Sequence, residues 1–386
     1  METPDCRDLH FTFSTTASNR VADHPPPDLF TSPEAIDAFL QQPVAYRNVS
    51  GTFVLYGQLC RPSHRASASS QTRLQLLVHG STYNHKYWSS LQEPSEVVNT
   101  RESESYERLS WIHAATRRGY WTLAVDRLGQ GRSSRPDPVT VVQAPLQTQL
   151  LHLLAQKIRK DDILNIGFSQ QQHEGKLVYV GHSYGSGLGV HLAAEHPGDF
   201  DGYILTGIAA VRENANPRPG SFLARWAPAA QAFPDRFPAS LPSGYLVSTN
   251  KSGRRGLYWG APGDFDAALL ERDWASQGTN PLGEVLTVGD YLAALPGVDF
   301  DKPVLVADGS ADAIFCSDLG SRDLSPANCS LGDEGEIGRT RGWFPGVPPQ
   351  FLATYRQPHS GHDHILHETG HQLIAYAHDW LESTGL

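Results

Sequence analysis

Methionine, cysteine and clustered basic residues are scarce in this chain. Of its 386 residues one is methionine and four are cysteine. No apolar run approaches the roughly 18 residues that a membrane-spanning helix needs. Lys and Arg number 31 against 41 Asp and Glu, a net charge of −10, and they form no run that would grip phosphates. Nucleic acid is therefore excluded as an expected partner. The first residues, Met1 to Asp5, have neither a basic start nor an apolar core, so they are not a signal peptide. No repeat is visible at solenoid periods.

What is present suits an ordinary soluble globular protein: 39% hydrophobic and 19% charged residues, in a chain long enough for one large domain or two to three small ones. The cysteines form an even set. Cys316 and Cys329 close a short loop, and Cys6 and Cys60 lie in two N-terminal strand-like segments, so the expected disulfides are Cys6–Cys60 and Cys316–Cys329. Three Asn-x-Ser/Thr sites, at Asn48, Asn250 and Asn328, are candidate glycosylation sites. Together these favour a secretory-pathway protein, a mature form with a restored Met1. A cytoplasmic protein with free thiols is the alternative.

Along the chain, residues 1 to 22 alternate weakly, as an edge strand does. A Pro25-Pro26-Pro27 tether follows. Tyr46 to Leu59 reads as a hairpin-like pair around Ser50-Gly51, and Ser63 to Ser70 reads as a surface loop. Beyond it, apolar runs at Leu74–Val78, Trp121–Val125, Leu177–Val180, Tyr203–Leu205 and Val304–Ala307 alternate with helical segments. Those helices are expected near Trp111–Arg118, Ala144–Arg159, Gly187–Glu195 and Glu368–Glu382. This is the pattern of βαβ units: an α/β fold with a mostly parallel twisted sheet flanked by helices. The interval from Gly207 to Pro303 breaks the rhythm and is too long for a loop. The expected organisation is a core in two parts, 1–207 (with an extension over 1–45) and 300–386, around an inserted cap or lid at 208–299.

The strongest chemical signal is Gly181-His182-Ser183-Tyr184-Gly185, directly after an apolar run and opening a helical stretch. A serine on a sharp strand-to-helix turn needs small neighbours two residues away on each side, which Gly181 and Gly185 supply. A dinucleotide reading of these glycines fails, because a glycine is then required where Val190 stands. A second run, Leu76-Leu77-Val78, leads into His79-Gly80-Ser81. A third leads into Asp126-Arg127-Leu128-Gly129-Gln130-Gly131-Arg132-Ser133. After the insert, Val304–Ala307 is followed by Asp308-Gly309-Ser310-Ala311-Asp312, and near the end stands Pro358-His359-Ser360-Gly361-His362-Asp363.

In this order and spacing the motifs resemble the α/β-hydrolase family, over roughly residues 74 to 210 and again after 300. The resemblance implies a serine hydrolase with Ser183 as nucleophile, His362 as base and Asp312 as orienting acid. Asp308 is the second choice of acid, and His359 and His364 are alternatives to His362. The main-chain N–H groups of Ser81 and Tyr184 are the implied oxyanion donors. The Asp126 segment is implied to be a structural turn. Epoxide hydrolysis and dehalogenation are disfavoured, because they need a carboxylate at Ser183.

His367-Glu368-Thr369-Gly370-His371 formally fits a zinc-binding His-Glu-x-x-His. Gly370 weakens the helix it requires, and no metal or other cofactor is expected. The insert is rich in aromatics, Tyr258 among them. Trp226, Phe233, Trp259 and Trp274, with Tyr83 from the loop after His79, are the candidates for binding substrate. The implied partner is a small hydrophobic molecule, and a medium-sized apolar ester or lactone fits such a lining. At whole-chain level the Cys-bearing extension and Thr82-Tyr83-Asn84-x-x-Tyr87-Trp88 resemble fungal cap-bearing hydrolases, some of which act near secondary metabolites. The same triad also serves acyl transfer, carbon–carbon bond hydrolysis and lyase or cyclase steps, and the fold also serves as a ligand receptor. Nothing in the sequence indicates an oligomeric state.

Overall fold

A strand of five or six consecutive apolar residues has to be covered on both faces, and the fold is arranged to do that. In the computed structural model, residues 3–22, 44–63, 72–96, 101–160, 163–168, 175–210, 225–293, 299–316 and 329–386 are described. The strands are β1 (Cys6–Arg20), β2 (Tyr46–Cys60), β3 (Arg73–Val78), β4 (Trp121–Val125), β5 (Lys176–His182), β6 (Gly202–Thr206), β7 (Trp226–Pro228), β8 (Tyr245–Ser248), β9 (Asn280–Pro281), β10 (Val304–Gly309) and β11 (Leu352–Gln357). Eight of them form one sheet in the order β1-β2-β4-β3-β5-β6-β10-β11, and β7, β8 and β9 form a smaller one. From β4 to β11 all neighbours are parallel, while β2 and β1 join antiparallel at the edge.

Alternation along each strand divides the core. Leu76 and Val78 face the layer that holds Leu154 and Leu188, from the helices Ala144–Lys160 and Tyr184–Glu195. Leu77, between them, faces Trp111 and Leu373, from the helices Trp111–Arg117 and Gly370–Thr384. All seven are fully buried, each contributing about 2–3 kcal/mol of transfer free energy.

Two expectations about strands are corrected. Tyr46–Leu59 is no hairpin but part of one unbroken strand paired with β1 over its whole length, from Cys6↔Cys60 to Arg20↔Tyr46. Gly51 does not turn the chain. A Cβ there would meet the Phe53 ring at 2.6 Å, so the glycine makes room for an aromatic ring lying across the strand. On the exposed face Ser14–Thr52 and Thr16–Ser50 hydroxyl pairs bridge the two strands. The other correction is β11, an edge strand that sequence reading missed. Its residues Leu352 to Arg356 are half-buried, only Gln357 is fully buried, and the strand carries no apolar run.

Between β6 and β10 the chain leaves the sheet. The described part of this insert holds the small sheet and the helices Ala229–Ala232, Lys251–Tyr258, Ala267–Ser276 and Leu282–Ala293. Both expected disulfides are formed, Cys6–Cys60 and Cys316–Cys329. Among the described residues no helix is long and apolar enough to cross a membrane. Asn48 is exposed on β2 and Asn250 half-exposed before the Lys251–Tyr258 helix. Asn328, the Pro-rich tether and most of the Ser63–Ser70 loop lie outside the described residues.

Candidate active site

The site lies at the carboxyl ends of β3, β5, β10 and β11, flanking the point where the sheet order turns from β3 to β5. Open parallel sheets place their ligands at such a point. At the end of β5 the chain reverses into a helix within one residue. Ser183 takes φ 53° and ψ −118°, a conformation that a residue with a side chain adopts only under constraint. The constraint is visible. Ser183 N–H donates to Thr206 O at 2.8 Å, the Thr206 hydroxyl donates to Gly181 O at 2.9 Å, and Ser186 Oγ donates to Thr206 O at 2.7 Å. The glycines are required by space: a Cβ on Gly185 would lie 2.3 Å from Val78 O, and one on Gly181 would lie 2.8 Å from Gly185 C.

Ser183 Oγ is 2.8 Å from His362 Nε2, and His362 Nδ1 is 2.6 Å from Asp312 Oδ2. The second oxygen of Asp312 accepts the N–H groups of Ile314 and Phe315 at 2.7 and 3.1 Å. Nδ1–H therefore donates to Asp312, and Nε2 is left to accept the Ser183 hydroxyl. His362 and Asp312 are buried. Burial pulls the His362 pKa down, but the Asp312 charge and hydrogen bond outweigh it, and the imidazole stays above its ordinary 6.5. Asp312 is opposed by burial and held down to about 2, chiefly by His362. The pair is thus biased toward taking a proton on imidazole while the carboxylate stays charged.

The alternatives to these residues have other occupations. Asp308 is buried behind Asp312, accepts Gly309 N–H at 2.8 Å and lies 3.0 Å from His364 Nε2. Burial, then the Asp312 charge, push its carboxyl well above the ordinary range, which favours its neutral form. His364 is held neutral, its pKa lowered to about 3 by burial. The His359 side chain is 76% exposed and points to Asp264. His367 has both ring nitrogens engaged, one by Gly260 and Gly361 N–H and the other at Asp363 O. It has no lone pair left for a metal shared with His371.

Among the described residues one group of possible metal ligands lies away from Ser183, His362 and Asp312, at His152, His196 and Asp199. The two imidazoles are stacked at 3.7 Å with their planes 16° apart, so their lone pairs run side by side and do not converge. Asp199 already binds His152 and Gln156. The arrangement reads as a clasp between the Ala144–Lys160 helix and the turn before β6.

Beside Ser183 stands the loop His79-Gly80-Ser81-Thr82. A Cβ on Gly80 would meet Ser183 Cβ at 2.8 Å, so this main chain lies against Ser183. Arg127 is fully buried behind it, donating to His79 O at 3.0 Å and Gly80 O at 3.1 Å while paired with Glu284 of the insert. Asp126 accepts the N–H groups of His85 and Arg132, which closes the turn after β4. Tyr184 opens the Tyr184–Glu195 helix, where main-chain N–H groups are unpaired by the helix itself.

The rings nearest His362 are His182 at 5.0 Å, Tyr258 at 5.7 Å and Phe315 at 5.9 Å. The expected substrate-binding aromatics are dispersed. Tyr83 is buried, with its hydroxyl on Asp363. Trp259 is buried against Phe265 and His367, and its indole N–H donates to Asp273. Phe233 and Trp274 pack edge to face at 5.9 Å, and Trp226 is half-buried in β7. Phe315 escaped sequence reading altogether, and its only signal is its place three residues after Asp312. Tyr258 is marked by helical register, since Arg254, Leu257 and Tyr258 form the buried face of their helix.

No curated protein matches the chain in sequence. Among solved structures it is similar to an esterase from Thermogutta terrifontis, with 16% identity, 86% of this chain and 95% of that one covered, and a TM-score of 0.50. A monoacylglycerol lipase from Paleococcus ferrophilus matches at 15% identity, covering 81% and 96%, with a TM-score of 0.50. A Vigna radiata epoxide hydrolase mutant matches at 12% identity, covering 85% and 96%, with a TM-score of 0.51. Likeness at this identity establishes the shared fold. The model of the alpha/beta hydrolase family matches residues 75–382, from β3 to the last helix. With its eight-stranded, mostly parallel sheet and flanking helices, the chain belongs to the alpha/beta hydrolase family.

Proposed function

We propose that this hydrolase is a serine enzyme that cleaves apolar, medium-sized carboxylic esters or lactones through an acyl-enzyme. The observation that carries the reading is the continuous hydrogen-bonded chain from Ser183 Oγ through His362 to Asp312. Ser183 attacks the substrate carbonyl as His362 Nε2 takes its proton, and Asp312 stabilises the imidazolium. The N–H groups of Ser81 and Tyr184 receive the oxyanion, each contributing on the order of 3 kcal/mol to the transition state. His362 then protonates the leaving alcohol and activates the water that releases the acid.

The segment from 208 to 299 acts as a cap over this centre, a reading supported by the Tyr258 ring beside His362. The aromatic surround of the imidazole favours an apolar acyl or alcohol group over a sugar or a charged one. The two disulfides and the exposed Asn48 favour an oxidising, secretory compartment.

A fluorophosphonate probe and a panel of acyl esters and lactones test the reading. Wild type should be labelled, Ser183→Ala should not, and Ser183→Ala should lower kcat by roughly 10⁴ or more. Because His362 works neutral and its pKa is raised, the acid limb of kcat/KM should lie above 6.5. An unlabelled wild type, or turnover of Ser183→Ala within about tenfold, overturns the assignment.

A further inference from the structure

The oxyanion loop is gripped from two sides, and one grip comes from the insert. Arg254, on the Lys251–Tyr258 helix, is 0% exposed. Its guanidinium forks onto Asp273, Nε to Oδ2 at 2.9 Å and Nη2 to Oδ1 at 2.6 Å, and its remaining nitrogen Nη1 donates to Thr82 Oγ1 at 3.0 Å. The cation lies over the rings of Tyr258 at 4.8 Å and Tyr83 at 5.3 Å. Thr82 itself has φ 66°. A β-branched residue in the left-handed region is strained and persists only where its surroundings fix it. Here they do: the hydroxyl is taken by Arg254, and Thr82 O accepts Gly278 N–H at 2.6 Å, both from the insert.

On the other side of the loop, Arg127 fixes the carbonyls of His79 and Gly80. Ser81, whose N–H is the oxyanion donor in the reading above, is the residue between the two grips. Burying a guanidinium–carboxylate pair is a weak route to stability, since apolar residues of the same volume often do as well. A planar fork that holds a carboxylate with two donors and a loop hydroxyl with a third is, by contrast, well suited to fixing geometry.

We propose that Arg254, oriented by Asp273, is a positioning residue that holds the Thr82 turn so that the Ser81 N–H stays aimed at the oxyanion. The cap then does more than cover the substrate, because its docking sets the transition-state stabiliser. The inference rests on the acyl-enzyme reading of the site.

The direct test is Thr82→Val, which keeps the branched shape and removes the hydroxyl that Arg254 holds. Thr82→Ser is the rescue, and Arg254→Lys keeps the charge without the fork. Each folded variant, checked by circular dichroism and thermal melting, is assayed with a small p-nitrophenyl ester. It is also titrated with a trifluoromethyl ketone, whose tetrahedral adduct places an oxyanion in the same position. Thr82→Val and Arg254→Lys should lower kcat by roughly 10- to 100-fold, short of the 10²–10³ seen when such a donor is removed outright. KM should stay within about threefold, the ketone affinity should fall with kcat, and the acid limb set by His362 should not move. Thr82→Ser should stay within about threefold of wild type.

Wild-type kcat in Thr82→Val, or a loss in Thr82→Ser as large as in Thr82→Val, overturns the positioning role. So does a rise in KM with kcat unchanged. A wild-type protein that fluorophosphonate does not label overturns the acyl-enzyme reading and this inference with it. A labelled wild type beside an unimpaired Thr82→Val overturns the positioning role alone.

Discussion

Asp308 and Asp312 are both fully buried, yet their surroundings drive them to opposite protonation states. Asp312 faces His362 and two main-chain N–H groups, all of which favour a charged carboxylate. Asp308 faces that carboxylate and a neutral imidazole, which favour an uncharged acid. Removing the charge should therefore matter at one position only. Asp312→Asn should lower kcat on the order of 10⁴, because His362 loses the partner that fixes its tautomer. Asp308→Asn should stay within about tenfold, since an amide can still donate toward Asp312 and accept from Gly309. Steady-state kinetics on one ester decides between them, and a larger loss at Asp308 reverses the assignment. Sequence motifs mark where these side chains meet because the elbow and the acid turn each demand particular small residues at fixed offsets. Tyr258 and Phe315, which ring His362, sit in no such motif. Their position depends on how the insert and the acid loop fold back, which no local pattern records.

At the scale of elements, the sheet from β3 to β10 is legible because each strand is a short apolar run covered on both faces. The edges are not. β2 contains a glycine that resembles a turn until β1 is laid beside it, and β11 is too polar to register as a strand. Similarly unforeseeable was the ion cluster joining β2, the turn after β4 and the loop beyond Tyr83. His85 lies between Asp126 at 2.8 Å and Glu93 at 3.2 Å. Burial pulls its pKa down, but the hydrogen bonds and charges of both carboxylates raise it to about 9. A histidine raised in the folded state contributes stability that is fully present below its unfolded pKa and is lost as pH rises through the folded value. The window here runs from about 6.5 to about 9. Urea unfolding should show stability falling across it by up to about 3 kcal/mol, and His85→Gln should flatten the slope. A slope unchanged in His85→Gln assigns the pH dependence to other groups.

For the whole molecule, the two disulfides lie at opposite edges of the sheet, so their effects on stability and on turnover should differ. Cys6–Cys60 joins the far ends of β1 and β2 across a separation of 54 residues. Cys316–Cys329 bridges a separation of 13 residues just beyond Asp312. There Cys316 N–H donates to Asp312 O, Cys329 N–H donates to Ser310 O, and both sulfurs lie within 4.0 Å of Asp308 Oδ2. On the chain-entropy view the longer loop is worth about 4 kcal/mol and the shorter about 3 kcal/mol, so loop length alone makes Cys6–Cys60 the costlier bridge to remove. Their effects on turnover should run the other way. Replacing Cys6 and Cys60 by Ala should lower the melting temperature while kcat stays within about twofold below the transition, because no residue of the triad touches that edge. Replacing Cys316 and Cys329 by Ala should lower the melting temperature less and kcat more, by roughly tenfold or beyond, since the turn that aims Asp312 at His362 loses its clasp and Asp308 its dry cover. Melting curves and kcat measured on the two double variants settle the matter. Equal kcat in both would mean that the acid turn is held by its main-chain hydrogen bonds alone.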